Sequence, residues 1–214
     1  MPYCKQENIL WIHIPKTGGA SIYIYFMRKY GKDQISLLSG IRNKILPTQE
    51  LQNVSLQHQT YNTIFKYKEL LGVDFNNNLK IISVVRNPYN RLISDLFGFN
   101  FINENSSKDE VLNIIKTKYI NNNNIDNHNL PQYKFICDDD DNIIKNINIF
   151  KQETLTQDMI KYGYTNFNVH FGSTKSKQID IDENEYISFL NNDSIKLINE
   201  YYHKDFVLFN YKKL

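Results

Sequence analysis

The sequence predicts an α/β fold with a mainly parallel central sheet, and three observations carry this prediction. Two continuous apolar runs, Ile9–Ile14 and Leu79–Val85, are rich in β-branched residues, as is typical of strands buried on both faces. Each run leads through a short turn into a segment with helical character, which begins at Gly19 after the first run and near Asn87 after the second. Strand-like and helix-like segments also alternate along the rest of the chain.

Size and charge limit the classes of protein that fit. The chain has 214 residues, of which 41% are hydrophobic, and this suits a single domain over residues 1–214. The net charge of +2 excludes a dedicated nucleic-acid binder, which would carry a basic stripe or patch. The two cysteines, Cys4 and Cys137, have no zinc-type spacing, so we expect reduced thiols.

The N-terminus has no basic segment followed by a long apolar run, and no apolar stretch reaches the roughly 18 residues that span a bilayer. We therefore expect a cytoplasmic protein without a signal peptide or membrane anchor.

The elements between the two apolar runs follow from local signals. The first helix is predicted at Gly19–Tyr30, and the run "ISLLSG" is a candidate short strand. The segment "TYNTIFKYKELLG" has helical spacing and ends in Gly72, a plausible C-cap. After the second run, Asn87 is a good N-cap and Pro88 fits the first helical turn.

The second half of the chain continues the alternation. A helix is predicted in "KDEVLNIIKTKYI", and a strand that allows a turn within it in "NIIKNINIF". A helix beginning at a capping-type Thr154 follows, and one or two helices close the chain. The runs of Asn121–Asn124 and Asp138–Asp141 are expected to be surface loops.

The stretch "PKTGGAS" follows the first strand, at the edge where parallel α/β sheets bind ligands. Gly18 and Gly19 allow a tight turn and a close approach of the backbone, while the next helix presents its amide groups and positive dipole end. Lys16 adds a full charge. This is a phosphate-type cradle, although the lysine precedes the glycines and the order therefore differs from that of a nucleoside-triphosphate P-loop. The alternative is an ordinary turn with a surface lysine.

A second cation stands after the second strand. Arg86 follows Val85, and Ser94 lies eight residues later. Magnesium-dependent nucleotide enzymes often have a metal-binding aspartate at this position. An arginine cannot bind a metal, but its planar fork grips phosphate, so the sequence favours an anionic ligand held by protein cations. The alternative for Arg86 is a structural salt bridge.

"HIPKTGGASI" and "VVRNPYNRLIS" together resemble the two cofactor motifs of sulfotransferases that use 3'-phosphoadenosine 5'-phosphosulfate (PAPS), and most closely those of the carbohydrate O-sulfotransferases. The resemblance implies a three-layer sandwich with a P-loop-like, sulfotransferase-type fold, and a transfer that needs no metal. It assigns the 3'-phosphate to Arg86 and Ser94. It assigns the 5'-phosphosulfate to the first motif: Lys16, Thr17, Gly18, Gly19, Ala20 and Ser21.

Weaker features extend the resemblance over most of the chain. "NHNLPQYKFI" resembles a His-x-x-Pro-Gln segment and makes His128 and Gln132 candidates for binding the acceptor. Relatives cover the nucleotide with a late basic loop, which makes Lys175 and Lys177 in "STKSK" candidates for contact with the 3'-phosphate; the alternative is a solvated loop. Ala20 departs from the family, since many relatives have a threonine there, and we do not expect the membrane anchor that Golgi relatives carry.

Sulfuryl transfer needs charge stabilisation at the leaving oxygen and a base for the acceptor hydroxyl. Lys16 is predicted to stabilise the leaving phosphate oxygen. The resemblance favours His58 as the base, with His128 as the second choice, whereas His13 is expected in the core or behind the site. A sugar hydroxyl is the expected acceptor; a phenol, a lipid and a protein tyrosine stay open. The alternative functions are a P-loop-like kinase or nucleotide-binding protein, and a catalytically inactive anion-binding relative.

Overall fold

The structure is a computed structural model that describes residues 3–32, 35–36, 48–122, 125–172 and 183–214. It contains two compact units. The first unit is formed by residues 1–85 and 132–173, and the second by residues 86–131 and 174–214. Among the described residues, no helix is both long and apolar enough to cross a membrane.

The described residues form a five-stranded sheet, which lies in the first unit. In chain order the strands are β1 (Tyr3–Cys4), β2 (Ile9–Ile12), β3 (Ile35–Ser36), β4 (Lys80–Val85) and β5 (Ile147–Lys151). Their order across the sheet is β3-β1-β2-β4-β5. The three longer strands β2, β4 and β5 pair in parallel, whereas β1 joins β2 and β3 in antiparallel pairs at one edge. The mixed α/β class is confirmed.

The α-helices of the described residues are listed here in chain order with their bounds. They are α1 (Gly19–Tyr30), α2 (Gln49–Asn53), α3 (Tyr61–Lys66), α4 (Lys68–Leu71), α5 (Pro88–Gly98), α6 (Lys108–Ile114), α7 (Tyr133–Ile136), α8 (Leu155–Lys161), α9 (Asn192–Tyr201) and α10 (His203–Leu208). A π-helical turn, Ile115–Tyr119, continues α6. Short 3-10 helices occupy Leu56–His58, Gln152–Thr154, Val169–Gly172 and Glu183–Phe189.

Both faces of the sheet are buried at β2. Ile9 and Trp11 belong to one apolar cluster, which includes residues of α1 and α8 such as Phe26 and Met159. Leu10 and Ile12 alternate with them and therefore point to the opposite face, and both are fully buried. This explains why the strand is a continuous apolar run rather than an alternating one.

The second unit has its own core. Apolar residues of α5 and α6 pack with residues of α9, α10 and the π-helical turn in one cluster of buried side chains. Tyr119 of the π-helical turn and Tyr202 between α9 and α10 are almost completely buried in it. The polar groups of such side chains must find partners inside the protein, and this requirement shapes the polar cluster described below.

Several predicted elements have different limits in the structure. Strand β2 ends at Ile12 rather than at Ile14, because the chain turns there and Ile14 accepts a hydrogen bond from the Thr17 hydroxyl. The helix predicted up to Gly72 is broken at Tyr67, whose hydroxyl donates to Glu50, although Gly72 does cap it in the left-handed conformation.

The expected turn before β5 is present, with Asn146 at a φ of 62°. The residue before α8 is Thr154, as predicted, but its side chain does not cap the helix, since the hydroxyl donates to the Asp158 carboxylate instead. Of the candidate strand "ISLLSG", only Ile35–Ser36 is described, as β3. Two residues of the asparagine run, 123 and 124, lie outside the described residues.

Candidate active site

The turn from β2 to α1 has the backbone of an anion cradle. Lys16 and Gly18 both adopt positive φ angles, 67° and 95°, so the chain reverses within a few residues. The turn is braced from within, because the buried Thr17 donates its hydroxyl to the carbonyl oxygen of Ile14 at 2.8 Å. Gly18 is the N-cap of α1 and brings no side chain that could cap the helix. The first amides of α1 therefore depend on something other than a capping side chain.

Gly19, the first residue of α1, is needed for a different reason. A Cβ atom at this position would lie 2.1 Å from Nε2 of His13 and 2.7 Å from Cζ2 of Trp11. The helix thus begins directly against two aromatic rings, which themselves pack with centroids 4.8 Å apart. Gly18 supplies the backbone conformation and Gly19 the space.

The hydroxyl groups of the loop have partners within the first unit. Ser21 donates its hydroxyl to the carbonyl oxygen of Val169, and its amide donates to the carbonyl of Gly18 at 3.1 Å. With the Thr17 hydroxyl also engaged, the cradle offers mainly the amides of Gly19 and Ala20. Ala20 is exposed. It lacks the hydroxyl of the threonine that many relatives have at this position, but it retains the backbone amide.

The two predicted motifs follow neighbouring parallel strands. Ile12, the last residue of β2, is paired with Ser83 of β4. Because paired parallel strands run the same way, their carboxyl ends lie at the same edge of the sheet. The chain leaves β2 towards Lys16 and leaves β4 at Val85 into Arg86.

The second motif is described within the second unit. Arg86 is buried, and its guanidinium carbon lies 5.9 Å from the centroid of the Tyr186 ring, which fits a cation–π contact. Asn87 caps α5 as predicted, by accepting a hydrogen bond from the amide of Tyr89 at 3.0 Å. Ser94 lies two turns into α5 and is partly exposed.

The predicted base, His58, ends the 3-10 helix Leu56–His58 in the first unit. Its side chain is buried, with Nδ1 at 3.4 Å from the Ser55 hydroxyl. The rings of His58 and His13 meet edge to face with centroids 5.1 Å apart. Since the His13 ring also contacts Gly19, it connects the predicted base with the start of α1.

The two residues predicted to bind the acceptor belong to different units. Gln132 is fully buried at the N-terminus of α7, in the first unit. His128 belongs to the second unit, where its Nδ1 lies 2.7 Å from the carboxylate of Asp95. The predicted nucleotide-covering residues, Lys175 and Lys177, lie outside the described residues.

Sequence reasoning missed the surroundings of two residues. His13 was expected within the first strand. It lies one residue beyond the end of that strand and is only partly buried. The position of His13 just before the cradle was the sequence signal that could have indicated its contact with the site. Asp95 follows Ser94 in the sequence and is almost completely buried. A charged residue on the apolar side of α5 was a readable signal, because buried carboxylates are rare unless paired.

A comparison with protein-family models gives the identity at the level of the family. A model described as the sulfotransferase family matches residues 2–212. The chain belongs to the sulfotransferase family. Its general activity is thus sulfuryl transfer, as the sequence predicted. Neither the curated proteins nor the solved structures gave a match.

Proposed function

We propose that this sulfotransferase uses PAPS as its donor and transfers the sulfuryl group to the hydroxyl of a carbohydrate. The observation that carries the proposal is the start of α1. A glycine N-cap, a second glycine without space for a Cβ atom and a lysine at positive φ together form a backbone cradle at the carboxyl edge of a parallel sheet. In a sulfotransferase, this is the chemistry that a phosphosulfate group requires.

The cradle and Lys16 would hold the 5'-phosphosulfate. The amides of Gly19 and Ala20 supply hydrogen-bond donors, and the dipole of the 12-residue helix α1 favours negative charge at this end. The ammonium group of Lys16 would stabilise the negative charge that grows on the leaving oxygen. Thr17 and Ser21 act here as braces of the loop, since their hydroxyls donate to Ile14 and Val169.

Arg86 and Ser94 would bind the 3'-phosphate. A guanidinium group forms two parallel hydrogen bonds to phosphate, and Ser94 adds a hydroxyl from the second turn of α5. Arg86 replaces the metal-binding aspartate expected of magnesium-dependent enzymes, so we propose a transfer without a metal. The buried residues on both faces of β2 support the proposed three-layer, P-loop-like sandwich.

His58 is the proposed base for the acceptor hydroxyl. An imidazole suits this role near neutral pH, and the ring of His13 limits its movement from one side. His128 and Gln132 are proposed to contact the acceptor. The carbohydrate class rests on the similarity of the two motifs to those of carbohydrate O-sulfotransferases.

Ligand preference tests the donor. Thermal unfolding is measured with adenosine 3',5'-bisphosphate or ATP, each with and without Mg²⁺. A ligand that binds only the native state raises Tm, so we expect a rise with the bisphosphate in the absence of metal. Stabilisation by ATP alone, and only with Mg²⁺, would contradict the proposal and favour a kinase-type site.

A second experiment tests the acceptor class. Radiolabelled PAPS is incubated with the protein and panels of sugars, phenols, lipids and tyrosine peptides. Label on the sugars alone supports the proposal, while label on another class overturns the carbohydrate part and leaves the donor intact. Binding of the bisphosphate without transfer to any panel would favour an inactive relative.

A further inference from the structure

A cluster of polar side chains lies buried within the second unit and takes no part in the proposed binding of the donor. Its centre is Asp95 of α5, which is 1% exposed. One carboxylate oxygen lies 2.7 Å from Nδ1 of His128, and the other lies 2.7 Å from the hydroxyl of Tyr119. A buried carboxylate with two such partners is a built arrangement rather than a chance contact.

The chemistry of Asp95 fixes the state of the imidazole. Burial raises the pKa of the Asp95 carboxyl, but hydrogen bonds from His128 and Tyr119 and the positive charge of Arg91 outweigh this effect, so the pKa lies below its ordinary value. An ionised carboxylate can only accept hydrogen bonds. Nδ1 of His128 must therefore carry the hydrogen, and in the neutral ring Nε2 is then the acceptor.

The backbone and the ring plane of His128 are fixed as well. Arg91 donates to the carbonyl oxygen of His128 at 2.6 Å and to that of Leu130 at 3.0 Å. The Tyr119 hydroxyl lies 3.0 Å from the same His128 carbonyl. The ring of Phe99 meets the imidazole edge to face, with centroids 4.9 Å apart. These contacts fix the position of the imidazole and the orientation of its plane, and Asp95 fixes its tautomer.

Two features separate this cluster from an ordinary buried ion pair. The His128 side chain is 18% exposed, whereas that of Asp95 is 1% exposed, so solvent reaches the pair at the imidazole rather than at the carboxylate. A second carboxylate, that of Asp126, lies within 4.8 Å of a ring nitrogen of His128. Well-packed apolar side chains are often at least as stable as a buried ion pair, so stability alone is a weak reason for this arrangement.

We propose that Asp95 is a positioning residue for the acceptor. It holds His128 as the Nδ1–H tautomer, so that Nε2 accepts a hydrogen bond from an acceptor hydroxyl and orients it. This inference rests on the proposed function and deepens it, because it assigns recognition of the hydroxyl to a histidine that is fixed through Asp95.

The variant Asp95→Asn tests the inference with two measurements. The first is the nitrogen NMR spectrum of the His128 imidazole, which reports the tautomer whether or not the enzyme turns over. We expect Nδ1–H in the wild type and a mixture of tautomers in the variant. An Nε2–H wild type would overturn the inference.

The second measurement is the kinetics with PAPS and 4-nitrophenyl β-D-galactopyranoside as a sugar-hydroxyl probe. Loss of one oriented hydrogen bond should raise KM for the sugar about tenfold in Asp95→Asn. The affinity for adenosine 3',5'-bisphosphate should be unchanged. A control is Tyr119→Phe, which removes the hydroxyl that contacts Asp95 and the His128 carbonyl but retains the bond between Asp95 and His128. The control should keep the wild-type tautomer, and its KM should rise much less than that of Asp95→Asn.

The outcomes distinguish the inference from the function on which it rests. A changed tautomer with an unchanged KM in Asp95→Asn would overturn the acceptor role. Equal rises of KM in both variants would assign the effect to general loosening of the cluster and overturn it too. If the wild type binds the bisphosphate but sulfates only phenols or peptides, the carbohydrate part of the proposed function fails, and the tautomer measurement still decides whether Asp95 positions His128.

Discussion

Gly19 lies against the imidazole of His13 so closely that a Cβ atom on Gly19 would stand 2.1 Å from its Nε2 and 2.4 Å from its Cδ2. The same imidazole contacts the ring of the proposed base, His58. Space, rather than backbone conformation, makes glycine necessary here, because a positive φ occurs at Gly18 and not at Gly19.

Gly19→Ala should therefore destabilise the protein. Forcing a methyl group into a packed site typically costs about 1–3 kcal/mol of the free energy of unfolding. Chemical denaturation of the wild type and the variant measures this cost. In a His13→Ala background the cost of Gly19→Ala should be smaller, since the nearest atoms are gone. An equal cost in both backgrounds would show that His13 is not the obstacle.

Arg86→Ala should selectively weaken binding of the 3'-phosphate. Loss of a charge-assisted hydrogen bond costs about 1.5–3 kcal/mol. Calorimetry should show this loss for adenosine 3',5'-bisphosphate and little change for adenosine 5'-phosphate, which lacks the 3'-phosphate. Arg28→Ala, at an exposed arginine of α1, is the matched control and should bind both ligands normally. Equal weakening of both ligands by Arg86→Ala would assign this residue to the fold.

Lys16→Ala and His58→Ala should fail differently. Lys16 acts on the charge of the leaving oxygen, so its loss should lower kcat and weaken PAPS binding. His58 acts on the acceptor, so its loss should leave the affinity for adenosine 3',5'-bisphosphate nearly intact and lower turnover by at least about 10²-fold. It should also remove the acidic limb of the rate profile, because a protonated imidazole cannot accept a proton.

Calorimetry and turnover measured against pH check both variants, with Lys161→Ala and His203→Ala, at exposed positions, as controls. Normal turnover and an unchanged acidic limb in His58→Ala would move the base to another residue and leave the donor site as proposed.

Asp95 should make stability depend on pH in the acidic range. Burial raises the pKa of Asp95, but the hydrogen bonds from His128 and Tyr119 lower it by more. Its pKa in the folded protein therefore lies below the ordinary value of 3.8. A carboxyl group with a lowered pKa contributes stability above its unfolded pKa and loses it as the pH falls through the folded one.

The free energy of unfolding of the wild type should therefore exceed that of Asp95→Asn most at neutral pH. This difference should shrink below about pH 4. Denaturation curves at a series of pH values provide the measurement. A difference that is constant from neutral to acidic pH would contradict the ionised state of Asp95.

Much of the local structure was predictable because its causes lie within a few residues. Helix α1 has the predicted limits, Gly19 and Tyr30, since a glycine turn precedes it and Gly31 follows it. The N-cap Asn87 and the C-cap Gly72 were also predicted, as both depend on the conformations and short hydrogen bonds of their own segments. The two motifs were sufficient to predict the family.

Contacts between distant segments were not predictable in the same way. Nothing near Tyr67 in the sequence breaks the helix there, and its hydroxyl reaches Glu50, 17 residues away. The resemblance assigned Thr17 and Ser21 to the phosphosulfate, but the Ser21 hydroxyl donates to the carbonyl oxygen of Val169, 148 residues away. Whether such a hydroxyl donates to a ligand or to the protein depends on whether the fold brings a protein acceptor within hydrogen-bond distance.

The sequence by itself determined the α/β class, the cradle between β2 and α1, and the cation after β4, because periodicity and turn chemistry are local properties of the chain. Only the tertiary structure decided that His13 lies between Gly19 and His58, and that Asp95 holds His128 across 33 residues. The physical reason is that a buried charge or ring takes its role from the groups that surround it, and those groups come from segments whose approach no local pattern encodes.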